Sequence, residues 1–254
     1  EYPQLPEINI PETFKLSTED LKRLITEVEF STSKDETQPA LTGSLFSINK
    51  DKIIMVSTNT YRLAFSKMEV DLNFENKEEI EMILPAKTLN ELTRLLSGEE
   101  VEIFVDSNYI KFIFDDITII SRLIEGKFPN YRQVMPDKFN TKLFVNKKNL
   151  QNAVKRASLI AKMDSNVLNL KTNDNKLIIN SANSEQGHAH EEIKIDKDGP
   201  DQKITIDAGY LLDVLKVIDE DEVSLELIGP LNPLSLKKIN KENYIYLIMP
   251  VRSD

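Results

Sequence analysis

Apolar residues recur at helical spacing in four places along the chain, and between those places they gather into short, β-branched runs. Leu21, Leu24, Ile25 and Val28 line one face of a segment opened by Ser17-Thr18-Glu19-Asp20. A capping hydroxyl followed by acids at the positive end of the helix dipole predicts a helix there, over 18–29. Pro85 at a first-turn position opens a second over 86–96, with Leu89, Leu92, Leu95 and Leu96 at helical spacing and Gly98 as its stop. Asn149-Leu150 to Met163 reads as a third, with Leu150, Val154, Ala157 and Ile160 inward. With its basic lead-in it spans 147–163, and a fourth helix covers 208–218.

The runs between them predict antiparallel strands. Leu41–Ile48 and Ile53–Ser57 flank the turn-like Asn49-Lys50-Asp51-Lys52, and Arg62–Phe65 and Ile80–Leu84 continue the sheet. Val101–Val105, Tyr109–Phe114 and Ile117–Leu123 are joined by Asp106-Ser107-Asn108 and Asp115-Asp116; Asn166–Lys171 and Lys176–Ser181 flank Asn173-Asp174-Asn175.

The two halves read as one pattern written twice. Lys52 to Asn59 corresponds to Lys176 to Asn183, Ile83 to Leu96 to Thr205 to Ile218, and Glu99 to Ile103 to Asp221 to Leu225. The last two share one offset through a helix and the strand beyond it, which points to duplication and a pseudo-symmetric arrangement. Between the halves lies Gly126-Lys127-Phe128-Pro129-Asn130-Tyr131-Arg132-Gln133-Val134-Met135-Pro136, where two prolines and a glycine exclude a single regular element and predict a linker. Its Phe128-Pro129-Asn130-Tyr131 resembles Tyr2-Pro3-Gln4-Leu5, which suggests that a further domain precedes this chain in the whole protein.

Composition narrows the function. The chain has 254 residues, 40% hydrophobic and 29% charged, with no apolar run near the ~20 residues a membrane span needs. Zero cysteines exclude disulfides, thiolate chemistry and cysteine zinc sites and fit a reducing compartment. A net charge of -10 argues against a nucleic-acid binder unless positive charge is concentrated somewhere. The four predicted helices concentrate it: Lys22, Arg23, Lys87, Arg94, Lys147, Lys148, Lys155, Arg156, Lys162 and Lys216 stand against Glu19, Asp20, Glu27, Glu29, Glu91 and Asp213. The helix over 147–163 has no acid, and Lys148, Gln151, Asn152, Lys155 and Lys162 form a stripe opposite its apolar face. Such a surface suits loose tracking along phosphates rather than base readout. Leu159 lies out of place on that polar side.

Four segments together resemble one family: Thr58-Asn59-Thr60-Tyr61-Arg62-Leu63-Ala64, Glu125-Gly126-Lys127-Phe128-Pro129-Asn130-Tyr131, Tyr210-Leu211-Leu212-Asp213-Val214-Leu215 and Met249-Pro250-Val251-Arg252. The chain is similar throughout to the bacterial sliding clamp, the beta subunit of the replicative DNA polymerase III, but only to the second and third of that family's three domains. The resemblance implies an α+β fold of two tandem pseudo-repeated clamp domains, each with two helices on antiparallel sheets. The middle-type domain, with a linker remnant, would span 1–138 and the C-terminal-type domain 139–254. It also implies a role as processivity factor on double-stranded DNA, without sequence preference, in the cytoplasm. In the family a head-to-tail homodimer closes a ring of six similar domains; without the first domain this chain would remain monomeric or weakly associated.

The resemblance further implies a pocket for short linear motifs of the polymerase, the clamp loader and repair proteins. Its first part would comprise Leu41, Thr58, Thr60, Tyr61, Arg62, Leu63, Pro129, Gln133 and Val134. The second would comprise Asp207, Tyr210, Leu231, Pro233, Leu247, Met249, Pro250, Val251 and Arg252. Thr60 stands where the family often has glycine or serine, Gln133 where it often has arginine, and Ser253-Asp254 extends a terminus that usually stops near the arginine. The expected DNA-facing residues are Lys22, Arg23, Lys87, Arg94, Lys148, Lys155, Lys162 and Lys216, and Leu159 and Ile160 match a subunit contact. No catalytic residue, metal or cofactor is expected.

Two other readings compete. His188-Ala189-His190 puts two imidazoles on one face of a predicted strand, where they could bind zinc or copper or serve a hydrolase. With 7 glycines there is no phosphate-cradling glycine loop and no nucleophile elbow beside them. The trimeric two-domain clamp of eukaryotes and archaea has a protomer of about this length, but the linker and the terminal Met249-Pro250-Val251-Arg252 favour the bacterial type.

Overall fold

The computed structural model describes residues 12–72, 79–162, 165–183 and 187–252; the Tyr2-Pro3 segment and Ser253-Asp254 lie outside the described residues. The chain forms two compact units, Glu1–Asn59 with Phe65–Pro129, and Thr60–Ala64 with Asn130–Asp254.

The first unit begins with strand β1 (Glu12–Ser17) and helix α1 (Thr18–Val28), whose first turn is capped by Ser17 Oγ accepting from the Asp20 N–H at 3.4 Å. Strands β2 (Gly43–Ile48), β3 (Lys52–Thr58), β4 (Arg62–Glu69) and β5 (Ile80–Pro85) follow. Helix α2 (Ala86–Leu95) leads into β6 (Glu100–Val105), β7 (Tyr109–Phe114) and β8 (Ile117–Arg122). One sheet has the order β1-β6-β7-β8, and β4, β3, β2 and β5 are successive neighbours in a second. The apolar stripes predicted for the helices are the core: Leu24, Ile25, Val28, Leu89 and Leu92 have no exposed surface, and burying each stabilises the fold by roughly 1.5–3 kcal/mol.

The second unit repeats this plan. Strand β9 (Thr141–Asn146) and helix α3 (Lys147–Ala161) precede β10 (Val167–Asn173), β11 (Lys176–Asn183), β12 (Gly187–Lys194) and β13 (Asp196–Asp198). Then come β14 (Lys203–Asp207), α4 (Ala208–Val217), β15 (Glu222–Leu227), β16 (Leu234–Lys238) and β17 (Tyr244–Ile248). The order β12-β11-β10-β14 mirrors β4, β3, β2 and β5, and β9-β15-β16-β17 mirrors β1-β6-β7-β8, with β13 added beside β9. One offset of 122 positions carries Ala86–Leu95 onto Ala208–Val217 and Glu100–Val105 onto Glu222–Leu227. The architecture is α+β, with four helices on antiparallel sheets among the described residues.

The details depart from the expectation in four places. Leu41 belongs to a 3-10 turn, Pro39–Thr42, because Pro39 cannot donate to a ladder, and β2 starts at Gly43. Helix α3 starts at Lys147, as the span 147–163 has it, with Asn146 as its cap accepting from the Asn149 N–H at 3.0 Å. Gln151 leaves the basic stripe: it is half-buried and its amide donates to the Leu215 carbonyl at 3.4 Å. The predicted linker contains a 3-10 turn, Tyr131–Val134, with Phe128 and Tyr131 both buried. Residues 130–138 and 60–64 fall in the second unit, so its border is not a single cut at 138/139.

Candidate partner-binding site

The segment Thr60–Ala64 belongs to the second unit and carries its most unusual backbone. Thr60 has φ 74, a left-handed conformation that β-branched residues rarely adopt, and it turns the chain into β4. Tyr61, next in line, is 64% exposed, and its carbonyl accepts from the Met249 N–H at 2.9 Å. Arg62 then points inward and is only 9% exposed.

A buried guanidinium needs a counter-charge. Arg62 Nη1 donates to Asp213 Oδ2 at 2.7 Å, and the guanidinium lies over the Tyr210 ring, 4.7 Å from its centroid. The other Asp213 oxygen takes Lys216 Nζ at 2.8 Å. Burial works against the charge of Arg62, but the Tyr246 oxygen and the Asp213 carboxylate outweigh it and its pKa is raised. Burial likewise works against charge on Asp213, yet Lys216 and Arg62 hold its carboxyl below the usual range. Burial pushes the Tyr246 phenol well above its ordinary value, so it stays protonated and donates to the Tyr210 carbonyl at 3.0 Å. The result is one polar cluster of Arg62, Asp213, Tyr210 and Tyr246, next in the chain to the exposed Tyr61.

Asp207 has a structural task in the fold. It is the N-cap of α4: Oδ1 accepts from the Gly209 N–H at 2.7 Å and the Tyr210 N–H at 3.1 Å, while Asn166 Nδ2 bonds both carboxylate oxygens at 3.1 Å. Its charge therefore fixes the turn that carries Tyr210.

The remaining expected pocket residues divide by burial. Leu63 and Leu247 are core side chains. In the second unit Leu231, at 73% exposed, Val251 and Arg252 line a groove of about 840 Å³ with Asn169, Lys171, Lys203 and Thr205. The Val251 N–H donates to the Thr205 carbonyl at 2.8 Å, which lays the chain after β17 along β14. Pro233, Met249 and Pro250 are half-buried, and Gln133 and Val134 are exposed on the turn Tyr131–Val134. Leu41 and Thr58 are buried and Pro129 exposed, and all three belong to the first unit. Thr60, Tyr61, Arg62, Tyr210 and Met249 thus come together in the second unit, with Leu231, Val251 and Arg252 on the groove. Sequence reasoning named Asp213 in a charge count and in a family-like segment but not as a site residue; its signal is a lone carboxylate among the apolar residues of α4, one turn beyond Tyr210.

The basic helix positions sort in the same way. Lys22, Lys87, Lys148, Lys155 and Lys162 are exposed. Arg23 pairs with Asp20 and Glu27 at 3.3 and 3.4 Å, Arg94 with Glu91 at 3.6 Å, and Lys216 with Asp213, so their charges are largely spoken for locally. On α3, Arg156 bonds Glu191 through two nitrogens at 2.8 and 2.5 Å. Leu159 is 64% exposed beside a half-buried Ile160. His188 and His190 lie exposed on β12, with His190 bonded to Asn180 at 2.7 Å and Glu192 at 3.2 Å. Among the described residues no group of three or more His, Cys, Asp or Glu could hold a metal ion, and no helix is long and apolar enough to cross a membrane.

Comparison with known proteins agrees with this division. Residues 15–130 match the model of the DNA polymerase III beta subunit central domain, and residues 132–252 that of its C-terminal domain. The beta sliding clamp of Staphylococcus epidermidis is 35% identical over 257 residues, covering 100% of this chain and 67% of the relative. Among solved structures, the Bacillus subtilis DNA polymerase sliding clamp superposes with a TM-score of 0.93 at 30% identity, covering 100% of this chain and 68% of that one. A Pseudomonas aeruginosa sliding clamp with ligand reaches 0.95 at 26% identity, covering 100% and 69%.

Proposed function

This chain belongs to the beta sliding clamp family, the beta subunits of DNA polymerase III, and on that premise we propose how its two units divide the work of a DNA sliding clamp. The exposed lysines of the helices, Lys22, Lys87, Lys148, Lys155 and Lys162, face duplex DNA and hold it through phosphates without reading bases. Arg23, Arg94 and Lys216 add less, because their charges are already balanced within the protein. Leu159 and Ile160 are the contact to a second subunit, which gives an exposed leucine on a polar helix face a use. The chain acts by holding, not by catalysis, in the cytoplasm.

The second unit is the docking point for extended tails of replication partners: the polymerase, the clamp loader and repair proteins. The observation that carries this is the convergence of Tyr61, Arg62, Tyr210 and Met249 around one part-buried ion pair, in the same unit as a groove lined by Leu231 and Val251. Apolar walls with a few oriented polar groups suit an extended peptide.

Titration of a labelled peptide carrying a polymerase tail motif tests the reading. The parent chain is expected to bind, and Arg62→Ala and Met249→Ala to bind about tenfold more weakly, a loss of ~1.4 kcal/mol each. Absence of binding to the parent removes the docking assignment.

A further inference from the structure

Across the ladder of β10 and β14, Lys171 stands directly opposite Lys203. Directly opposed residues of an antiparallel pair project from the same face and repel when their charges are alike, so a sheet ordinarily sets opposite charges or neutral groups there. The next pair on this face, Asn169 and Thr205, behaves in the ordinary way: Thr205 Oγ1 donates to Asn169 Oδ1 at 2.7 Å. Arg252 joins the two lysines on the same 840 Å³ groove, so three cations gather in one place on a chain whose net charge is -10.

Among the described residues the neighbouring carboxylates are engaged elsewhere. Asp201 is bound to Lys197 and accepts from Thr172, and Glu192 is bound to Lys176 and His190. Among the described residues no ion pair joins a carboxylate to Lys171, Lys203 or Arg252. The groove also has an apolar side, formed by Leu231 and Val251. An occupant that suits both sides carries apolar side chains and negative charge on one extended segment.

We propose that this groove binds the acidic flank of a partner peptide, with glutamate or aspartate side chains on Lys171, Lys203 and Arg252 and neighbouring apolar residues against Leu231 and Val251. The proposal rests on the second unit being a peptide-docking site and adds a charge preference to it. Bound carboxylates relieve the repulsion between the two lysines, so the peptide's charge stabilises the complex twice over. Exposed pairs are weak singly, so the expected preference is modest and sensitive to salt.

Three labelled probes test this by fluorescence polarisation on the whole chain: a partner-type apolar peptide extended by four glutamates, the same peptide extended by four glutamines, and a short single-stranded oligonucleotide. The glutamate peptide is expected to bind about tenfold more tightly than the glutamine peptide at about 50 mM salt, with most of the difference gone at about 300 mM. In a Lys171→Glu/Lys203→Glu double variant the glutamate peptide loses its advantage over the glutamine peptide; Lys34→Glu, far away in sequence in the first unit, leaves that advantage unchanged. Equal binding of the two peptides to the parent overturns the charge preference and leaves the docking site standing. Failure of both peptides to bind overturns the docking site and this proposal together. Oligonucleotide binding that falls in the double variant, with the peptide preference intact in it, assigns the cations to phosphate and overturns the proposal as well.

Discussion

Nη1 of Arg62 donates to Oδ2 of Asp213 across 2.7 Å, and these residues stand 151 positions apart in the chain. The pair ties the first residue of β4 to the middle of α4 within the second unit, and Tyr210 stacks on the same guanidinium. Removing the carboxylate leaves a nearly buried charge without its counter-ion. Asp213→Asn is expected to destabilise the chain by about 2 kcal/mol, less than a fully buried pair because Asp213 keeps contact with water. Urea unfolding at pH 7 measures it; a change under about 0.5 kcal/mol would mean that the pair is only decorative.

The same pair sets an acid limit. Asp213 has its pKa lowered in the folded chain, so it binds protons less readily there than when unfolded. Its contribution is fully present above the ordinary aspartate value of about 3.9 and is lost as pH falls through the lower folded value. The gap in stability between the parent and Asp213→Asn should therefore hold steady from about pH 7 to about pH 5 and close below about pH 4. Unfolding curves across that range decide the matter, and a gap that closes already near neutrality points to another group.

Thr60 occupies a left-handed backbone position, φ 74, at a cost on the order of 1 kcal/mol for a branched side chain. Thr60→Gly is expected to raise stability by up to about 1 kcal/mol, reduced by the greater freedom of glycine when unfolded. A lower melting temperature in the glycine variant would show that the threonine side chain contributes more than the strain removes.

Tyr61 and Leu231 are largely exposed, at 64% and 73%, so neither holds the fold together. Tyr61→Ala and Leu231→Ala should each change stability by less than about 0.5 kcal/mol and weaken peptide binding about tenfold. Parallel melting and titration experiments separate the two effects. Unchanged affinity in both variants would remove them from the contact surface.

Much of this was legible in the sequence because local signals and global fold agree. The helices and most strands follow from apolar spacing, and the duplication follows from a shared offset that needs no structure to detect. The burial of Arg62 was not legible, because it depends on a carboxylate contributed by a helix remote in sequence. The capping task of Asp207 was not drawn from the sequence, since it takes the helix-start geometry to set its carboxylate on the amides of Gly209 and Tyr210. The facing lysines 171 and 203 were also hidden, since only strand register makes them neighbours. Gln151 misled for a simpler reason: periodicity gives a helix face, but not what packs against it.

Helices α2 and α4 match in length and position, yet they begin on unlike residues. Pro85 offers no side-chain bond at the start of one, whereas the Asp207 carboxylate holds two amides at the start of the other. Gene doubling has thus left two solutions to one engineering problem inside a single polypeptide. Where the first copy needs only a stiff corner, the later one uses an anion that also aims an aromatic ring. Each copy is the natural reference for the other, and exchanging those two residues would ask whether a hinge was turned into a gunsight.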